Sequence, residues 1–392
     1  MPASKSTRAL LRAIVLSLCE TPAGLARALR VALAVFLGIL FASPVFSETS
    51  DKVLNFYNWS AYIADDTIAN FEKETGIKVN YDTFDSSELL HAKLVAGKTG
   101  YDIVMSSSGW ARMQANGGLI QPLNKELLPN LKNLDPQITA RIAELDPGNR
   151  YMVNWLWGYT TVGINVDKVK AALGSLPMPE NAWDLLFKPE YASKLKSCGV
   201  SFLDSSSEVL PAVLHYLGLP LNTNKPEHYA QALATLRAVR PYVTLFSSAG
   251  YTEDLVNGAL CVSMGWSGDI NGARMKAQQA KTGQRIEALV PNVGGVMFFD
   301  TMVIPADAPH VENAHKFMNY ILRGEVHAAQ TNKLMYANPN LEARKYIKPE
   351  ILNSPSVFPA KADIARMGVQ GEVNNDIRRQ MVKAYTAFKT GR

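Results

Sequence analysis

The chain has 392 residues, of which 47% are hydrophobic and 19% are charged, a composition typical of a globular protein. Its formal net charge is +5, but residues 1–47 hold five basic residues and one acidic residue, which leaves 35 basic and 34 acidic residues in the body. The body therefore lacks the global basic field that favours nucleic acid as a partner. Its length allows two domains of common size.

The N-terminal segment has the pattern of a signal peptide. Arg27 and Arg30 precede Val31–Ala42, an apolar run that is too short to span a bilayer comfortably. We therefore expect residues 1–47 to be a signal peptide that is cleaved near Ser47, and the body to be periplasmic.

The body contains two cysteines, Cys198 and Cys261. An even pair in an oxidising compartment favours a disulfide bond between them. The alternative is two separate buried thiols, because cysteine is often simply buried.

Strand and helix patterns alternate over the first part of the body. Asp85, with Glu88 three residues later, predicts a capping box at the start of a helix that Gly97 ends. The β-α-β-α-β order predicts an α/β fold with a mostly parallel sheet. The other predicted elements are strands over 52–58, 77–81 and 101–105 and a helix over 65–75.

The run Leu260–Met264 predicts a buried strand, and Gly265-Trp266-Ser267-Gly268-Asp269 follows it. Ligands of open α/β sheets bind at the carboxyl ends of strands, where Trp266 and Asp269 are expected to lie. An indole face beside a carboxylate suits an organic cation. The alternative is a core tryptophan followed by a helix-capping aspartate.

Aromatic and polar residues recur where other strands are expected to end. Asp300 lies within an apolar strand pattern, where an unpaired carboxylate would be costly and needs a cation or several donors. Each group alone is explained by core packing or by a loop, but their recurrence indicates a binding site. The groups are Trp59-Ser60-Ala61-Tyr62, Ser106-Ser107-Ser108-Gly109-Trp110, Phe298-Phe299-Asp300 and Tyr336.

From about residue 52 to the C-terminus the chain resembles the periplasmic polyamine-binding proteins of ABC importers, above all their putrescine-binding members. The combination of motifs is specific, although none would suffice alone. The motifs are Asn58-Trp59-Ser60-x-Tyr62, Tyr101-Asp102-Ile103-Val104, Cys198-Gly199-Val200-Ser201-Phe202-Leu203-Asp204, Gly265-Trp266-x-Gly268-Asp269, Phe298-Phe299-Asp300 and Tyr336-Ala337-Asn338.

The resemblance implies a two-lobed periplasmic binding protein fold of type II, with helices flanking a mostly parallel sheet in each lobe and a hinge between them. Strand-like residues at Trp155–Asn165 and a return near Arg274–Ala280 are the cues for the crossings. We expect lobe 1 to contain residues 52–155 and 277–332, and lobe 2 to contain residues 156–276 and 333–392.

The resemblance also implies a ligand site between the lobes and supports the Cys198–Cys261 disulfide. Aromatic rings would enclose a methylene chain, carboxylates would bind ammonium groups, and serines would form hydrogen bonds. The expected rings are those of Trp59, Tyr62, Trp266, Phe298 and Tyr336. The expected carboxylates are Asp269, Asp300 and Glu208, and the expected serines are Ser60, Ser107 and Ser248.

Two positions depart from the family pattern. Members usually carry an acid after the Trp-Ser pair, where this chain has Ala61, so one ammonium partner is missing. Gln370 is expected in the site as in spermidine-preferring members, whereas Asp269 is typical of putrescine-preferring ones. These departures leave spermidine, agmatine and zwitterionic amines such as 4-aminobutyrate as alternatives to putrescine.

Other classes of function are less consistent with the sequence. No histidine pair has metal-ligand spacing, and there is no nucleophile elbow or phosphate loop, which argues against an enzyme. A ferric site using Tyr62 and Tyr336 would leave the tryptophan and phenylalanine rings idle. We expect a monomer without cofactor or metal, with a polyamine and an inner-membrane permease as partners. A sensor of ligand occupancy is a further alternative.

Overall fold

A mixed β-sheet flanked by helices runs through the computed structural model, which describes residues 52–391. The predicted signal peptide and its cleavage site lie outside the described residues. The strands are β1 Val53–Trp59, β2 Lys78–Phe84, β3 Ile103–Ser107, β4 Ile120–Gln121, β5 Val153–Asn165, β6 Val200–Phe202, β7 Leu245–Phe246, β8 Val262–Trp266, β9 Ile286–Ala288, β10 Val296–Pro305 and β11 Gly368–Val369.

The helices connect these strands and cover the faces of the sheet. They are α1 Thr67–Thr75, α2 Ser87–Ala96, α3 Ser108–Asn116, α4 Pro136–Ala143, α5 Val166–Leu173, α6 Asp184–Phe187, α7 Pro189–Leu195, α8 Ser206–Tyr216, α9 Pro226–Val239, α10 Tyr251–Asn257, α11 Ser267–Gln279, α12 Val311–Ile321, α13 Gly324–Leu334, α14 Pro349–Leu352, α15 Lys361–Arg366 and α16 Asn375–Thr390. Within residues 52–391, no helix is both long and apolar enough for a membrane span.

The strand order is β2-β1-β3-β10-β5-β8-β6-β7, with β11 and β4 on β10 and β9 on β5. The outer strands pair in parallel, β1 with β2 and β3, and β6 with β7 and β8. The two long central strands, β5 and β10, are antiparallel to each other and to their neighbours β8 and β3. The α/β class is confirmed, and the parallel groups lie on either side of an antiparallel centre.

Local sequence signals explain most of these elements, and one predicted signal, a helix cap, is wrong. Gly76 ends α1 in the left-handed conformation, with a φ of 68°, where a residue without Cβ is favoured. The predicted capping box at Asp85 is wrong, because the side chain of Ser86 caps α2 by accepting a hydrogen bond from the Leu89 amide at 3.1 Å. A hydroxyl one residue later offers the same acceptor.

Two hydrophobic clusters form the core of the described body. The first gathers buried side chains from residues 54–159 and 297–369, and the second gathers them from residues 162–296 and 377–388. Trp266 packs against both clusters. Residues 335–369 pack with the first cluster. The segment Arg274–Ala280, where the sequence predicts a return of the chain to lobe 1, lies at the end of α11.

The chain passes between the two clusters at three neighbouring points of the sheet. Thr160 on β5 pairs with Val296 on β10, and Val296 pairs with Gly368 on β11. Gly295 precedes this point, and a Cβ there would lie 2.6 Å from the carbonyl oxygen of Thr160. The crossing strands therefore lie in direct contact, side by side.

The predicted disulfide joins Cys198 to Cys261, whose Cα atoms are 5.4 Å apart. It connects the segment before β6 to the segment before β8, and these two strands are paired in parallel. The two cysteines are 63 positions apart in the sequence, so the bond closes a long loop next to the sheet.

Candidate functional site

Asp300 lies in β10, a strand whose ten residues are all buried. Its Oδ2 accepts a hydrogen bond from the hydroxyl of Tyr62 at 2.9 Å. Burial is the main reason that the pKa of Asp300 rises to about 7; the Tyr62 bond opposes the rise, and the charges of Glu208 and Asp269 add to it. A carboxyl group with one protein donor and two acidic neighbours is suited to receive a cation.

Asp269 lies in the first turn of α11, directly after β8. Tyr336 donates to its Oδ1 at 2.6 Å, and Tyr251 donates to its Oδ2 at 3.2 Å. Burial raises the pKa of Asp269, and the two tyrosine hydrogen bonds oppose that rise. The alternative role as a helix cap is not observed, since Trp266 occupies the N-cap position.

Glu208 lies in the first turn of α8 and reaches the crossing strands. Its Oε2 accepts a hydrogen bond from Thr160 at 2.6 Å. Burial raises its pKa, while donors on Thr160, Trp266 and Gln370 partly offset the rise. The Gln370 amide also donates to the carbonyl oxygen of Ser207. Glu208 is therefore tied to two of the three crossing segments.

The aromatic side chains of the site meet mainly around Tyr336. Its ring lies edge-on to Tyr62 at 5.7 Å and edge-on to Phe298 at 6.1 Å between centroids. Tyr336 is 6% exposed, Phe298 is 9% and Asp300 is 8%. A Cβ on Gly158 would lie 2.9 Å from Tyr336 and 3.0 Å from Phe298. The glycine on β5 therefore leaves room for this aromatic wall.

Two of the expected rings contact other aromatic side chains. Trp59 is half-buried and packs on Phe84 with ring centroids 4.3 Å apart. Trp266 is also half-buried and lies edge-on to Tyr251 at 6.4 Å. Each of the two residues keeps some exposed surface.

The expected serines are not equally close to the carboxylates. Ser107 pairs with Asp300 across the β3–β10 ladder. Ser60 is exposed in the turn after β1, and its amide donates to the carbonyl of Phe84. Ser248 accepts a hydrogen bond from the Asp204 amide at 2.9 Å. Within residues 52–391, no hydrogen bond connects these serines to the three carboxylates.

The three carboxylates have no basic counterpart in the described structure. None of the ion pairs between residues 52–391 involves Asp269, Asp300 or Glu208. Their hydrogen bonds come from neutral hydroxyl, amide and indole groups. Such a site is prepared for positive charge from a ligand.

Two contributors to the site were missed from the sequence. Tyr251, at the start of α10, bonds to Asp269, and Thr160 on β5 bonds to Glu208. Neither residue belongs to a local motif, and each precedes its partner by many residues. The only sequence signal was the glycine at position 265, since a Cβ there would lie 2.5 Å from the Tyr251 ring.

The ferric alternative finds no support in the tyrosine geometry. The hydroxyls of Tyr62 and Tyr336 are both engaged as donors to carboxylates. In the described part of the chain, no group of three or more histidine, cysteine, aspartate or glutamate side chains is arranged to hold a metal ion.

The fold and the aromatic-lined acidic site define the class of protein. The fold is that of the type II periplasmic binding proteins: the spermidine/putrescine ABC transporter substrate-binding protein PotD from Streptococcus pneumoniae superposes with a TM-score of 0.75 at 24% identity. That alignment covers 86% of this chain and 99% of the other. The chain belongs to the bacterial extracellular solute-binding protein family, which matches residues 66–359.

Two curated relatives are similar over nearly the whole chain. The putrescine-binding periplasmic protein PotF of Escherichia coli (strain K12) is 43% identical over 357 residues, which is 91% of this chain and 96% of the relative. The putrescine-binding periplasmic protein SpuD of Pseudomonas aeruginosa (strain UCBPP-PA14) is 42% identical over 87% of this chain and 93% of its own length.

Proposed function

We propose that this protein is an exported solute-binding protein, not an enzyme, that captures a diamine, in first place putrescine, and delivers it to an ABC permease of the inner membrane. The observation that carries the proposal is the group of three desolvated carboxylates, Asp269, Asp300 and Glu208, without a cation among the described residues. Aromatic rings adjoin them, as a ligand with cationic ends and an apolar middle requires.

The charge of the site supports a dication. Burial raises the pKa of all three carboxyl groups, that of Asp300 to about 7, so the empty site holds fewer than three negative charges near neutral pH. Two ammonium groups would pair with two of these carboxylates. A triamine would need all three groups ionised, which costs more because they repel one another.

The relatives named above as putrescine-binding periplasmic proteins support the same ligand and compartment. Residues 1–47 would then be a signal peptide removed near Ser47, and the mature protein would act as a monomer. Of the predicted site residues, those with the strongest contacts are Tyr62, Tyr336 and the three carboxylates.

Each hydrophobic cluster would be the core of one lobe, and the ligand would be enclosed when the two lobes close on each other. The three crossings near Thr160, Val296 and Gly368 would serve as the hinge. The clusters favour placing residues 335–369 with lobe 1, whereas the sequence placed 333–392 in lobe 2. Small-angle scattering should show compaction with ligand; an unchanged radius of gyration would contradict closure.

Isothermal titration of the mature protein, refolded from denaturant to remove bound ligand, tests the function directly. Putrescine is expected to give a measurable heat of binding at a single site and to bind more tightly than spermidine, agmatine or 4-aminobutyrate. Tight binding of 4-aminobutyrate without binding of any diamine would overturn the proposal.

Position 61 allows the zwitterionic alternative to be tested. Ala61 is exposed and has a φ of 54°, in the left-handed region that asparagine and aspartate tolerate better than alanine. Ala61→Asp should strengthen putrescine binding by about 1–2 kcal/mol and weaken that of a ligand whose own carboxylate lies nearby. Ala61→Asn is the matched control, because it shares the backbone preference without the charge.

A further inference from the structure

Asp269 is held from two sides by two tyrosines with different positions in the site. Tyr336 belongs to the aromatic wall and retains some exposed surface, whereas Tyr251 is completely buried. The Tyr251 ring therefore has no surface for a ligand to touch. Its hydroxyl reaches Oδ2 of Asp269, the oxygen that Tyr336 leaves free.

The orientation of the Tyr251 hydroxyl is fixed by the main chain. The amide of Trp266 donates to the Tyr251 oxygen at 3.2 Å, so an acceptor position of that oxygen is occupied. The hydroxyl proton is then directed to Asp269. Burial raises the pKa of Tyr251 well above its ordinary value, which keeps it a donor.

Two glycines of the Gly-Trp-Ser-Gly-Asp motif make room for these tyrosines. A Cβ on Gly265 would lie 2.5 Å from the Tyr251 ring, and one on Gly268 would lie 2.2 Å from the Tyr336 ring. Neither glycine has a positive φ, so backbone conformation does not require them. The motif is thus built around the two phenols that hold its aspartate.

We propose that Tyr251 is a positioning residue for ligand binding: it fixes the Asp269 carboxylate, stabilises its ionised form and leaves its remaining lone pairs to the cationic end of a ligand. This inference rests on the proposed function, because it assigns Asp269 to a cationic ligand. The residue acts through Asp269 and not by contact with the ligand.

The groups around Asp269 determine how the loss of the Tyr251 hydroxyl would change the pKa of Asp269. Tyr336 and Tyr251 donate to it, and both lower its pKa against the effect of burial. The charge of Asp269 raises the pKa of Asp300 on β10. The charge of Glu208 on α8 raises the pKa of Tyr251. Without the Tyr251 hydroxyl, one donor remains among acidic neighbours, and the pKa of Asp269 should rise further.

The test is the ratio of putrescine dissociation constants for Tyr251→Phe and wild type, measured by calorimetry from pH 6 to 8.5. An ammonium group needs the ionised carboxylate, so the variant should bind about tenfold or more weakly at pH 6. The ratio should narrow toward pH 8.5, because deprotonation of Asp269 removes the part of the loss that comes from its protonated form. The ratio cancels the titration of Asp300, which both share.

Two variants separate this role from a structural one. Tyr229→Phe removes another buried tyrosine hydroxyl of the same hydrophobic cluster, which donates to the Thr223 carbonyl at 2.9 Å, and should leave affinity unchanged. In an Asp269→Asn background, Tyr251→Phe should alter affinity less than twofold. A ratio near one throughout, a loss independent of pH, or an undiminished effect beside Asp269→Asn would overturn the proposal.

A ligand-free measurement decides the matter even if wild type binds no diamine, which would refute the proposed function alone. A carboxyl group whose pKa is raised in the folded state makes the folded protein less stable as the pH rises through that pKa. The melting temperature of Tyr251→Phe should therefore fall further below wild type at pH 8 than at pH 5. A deficit that is equal at both pH values, as expected for Tyr229→Phe, would overturn the role of Tyr251.

Discussion

Replacing Asp300 by asparagine is expected to stabilise the ligand-free protein while it removes diamine binding. Asp300 is buried, has one neutral donor in Tyr62 and has the acidic neighbours Glu208 and Asp269. Asparagine has nearly the same shape, and its amide oxygen can still accept the Tyr62 hydrogen bond. The substitution therefore removes a charge without opening a cavity.

The magnitude follows from the raised pKa. The pKa of Asp300 rises from 3.8 to about 7, so this group lowers the folding stability by about 4 kcal/mol at pH 8, where it is ionised, and by about 1.5 kcal/mol at pH 5, where the folded protein must hold it protonated. This acid contributes most stability below its unfolded pKa and loses it as the pH rises through about 7. Burying the amide costs roughly 1–3 kcal/mol at either pH, which leaves a net gain of about 1–3 kcal/mol at pH 8.

Urea unfolding of ligand-free wild type and Asp300→Asn at pH 5 and pH 8 measures this gain. The difference in unfolding free energy should grow by about 3 kcal/mol between the two pH values. Asp102→Asn is the matched control. Asp102 is buried too, but it accepts hydrogen bonds from the Asn55 amide and from the amide and ring of His310. Its substitution should destabilise the protein at both pH values.

The reasoning would be refuted if Asp300→Asn lowered stability at pH 8, or if its effect did not change with pH. Either result would mean that the carboxylate is stabilised in the empty site by a group other than a ligand. Retained putrescine affinity in the variant would separately remove Asp300 from the ligand site.

Three further predictions concern the site and its support. Asp269→Asn should weaken putrescine binding by about 3–5 kcal/mol in calorimetry, since it leaves a buried ammonium without its partner. Gly268→Ala should weaken binding at least tenfold, because its Cβ meets an aromatic ring at 2.2 Å, whereas Gly272→Ala on the same helix has open space and should bind normally. Joint replacement of Cys198 and Cys261 by alanine should cost about 2–4 kcal/mol in urea unfolding and leave affinity unchanged.

The periodic parts of the fold were predictable because the patterns of burial are local. The strand predicted over 52–58 appears as Val53–Trp59, and the apolar run before Gly265 appears as Val262–Trp266. The crossing expected at Trp155–Asn165 lies within one long buried strand, Val153–Asn165. The return near Arg274–Ala280 stays a prediction; these residues lie at the end of α11, which offers no sequence signal that separates a helix from a segment between lobes.

The site was predictable where family motifs or strand ends placed its residues. Tyr336 donates to Asp269, and the charge of Asp269 raises the pKa of Asp300, so these three side chains are neighbours, while their contact with a ligand stays a prediction. Tyr251 was not predictable, because it precedes Asp269 by eighteen residues and reaches it through the packing of α10 on α11. A glycine signals close approach of another group, but not which group approaches.

Among residues 52–391 no basic side chain pairs with the three carboxylates, and this links the stability of the ligand-free protein to its affinity for a cation. If basic side chains paired with Asp269, Asp300 and Glu208, the empty protein would be more stable, but a ligand would have to displace those pairs. Hydroxyl donors on Tyr62, Tyr251, Tyr336 and Thr160 instead orient the carboxylates without neutralising them. Protons and diamine then compete for the same oxygens. Affinity for the diamine should therefore fall as the pH drops below about 7, by up to tenfold per pH unit for Asp300 alone.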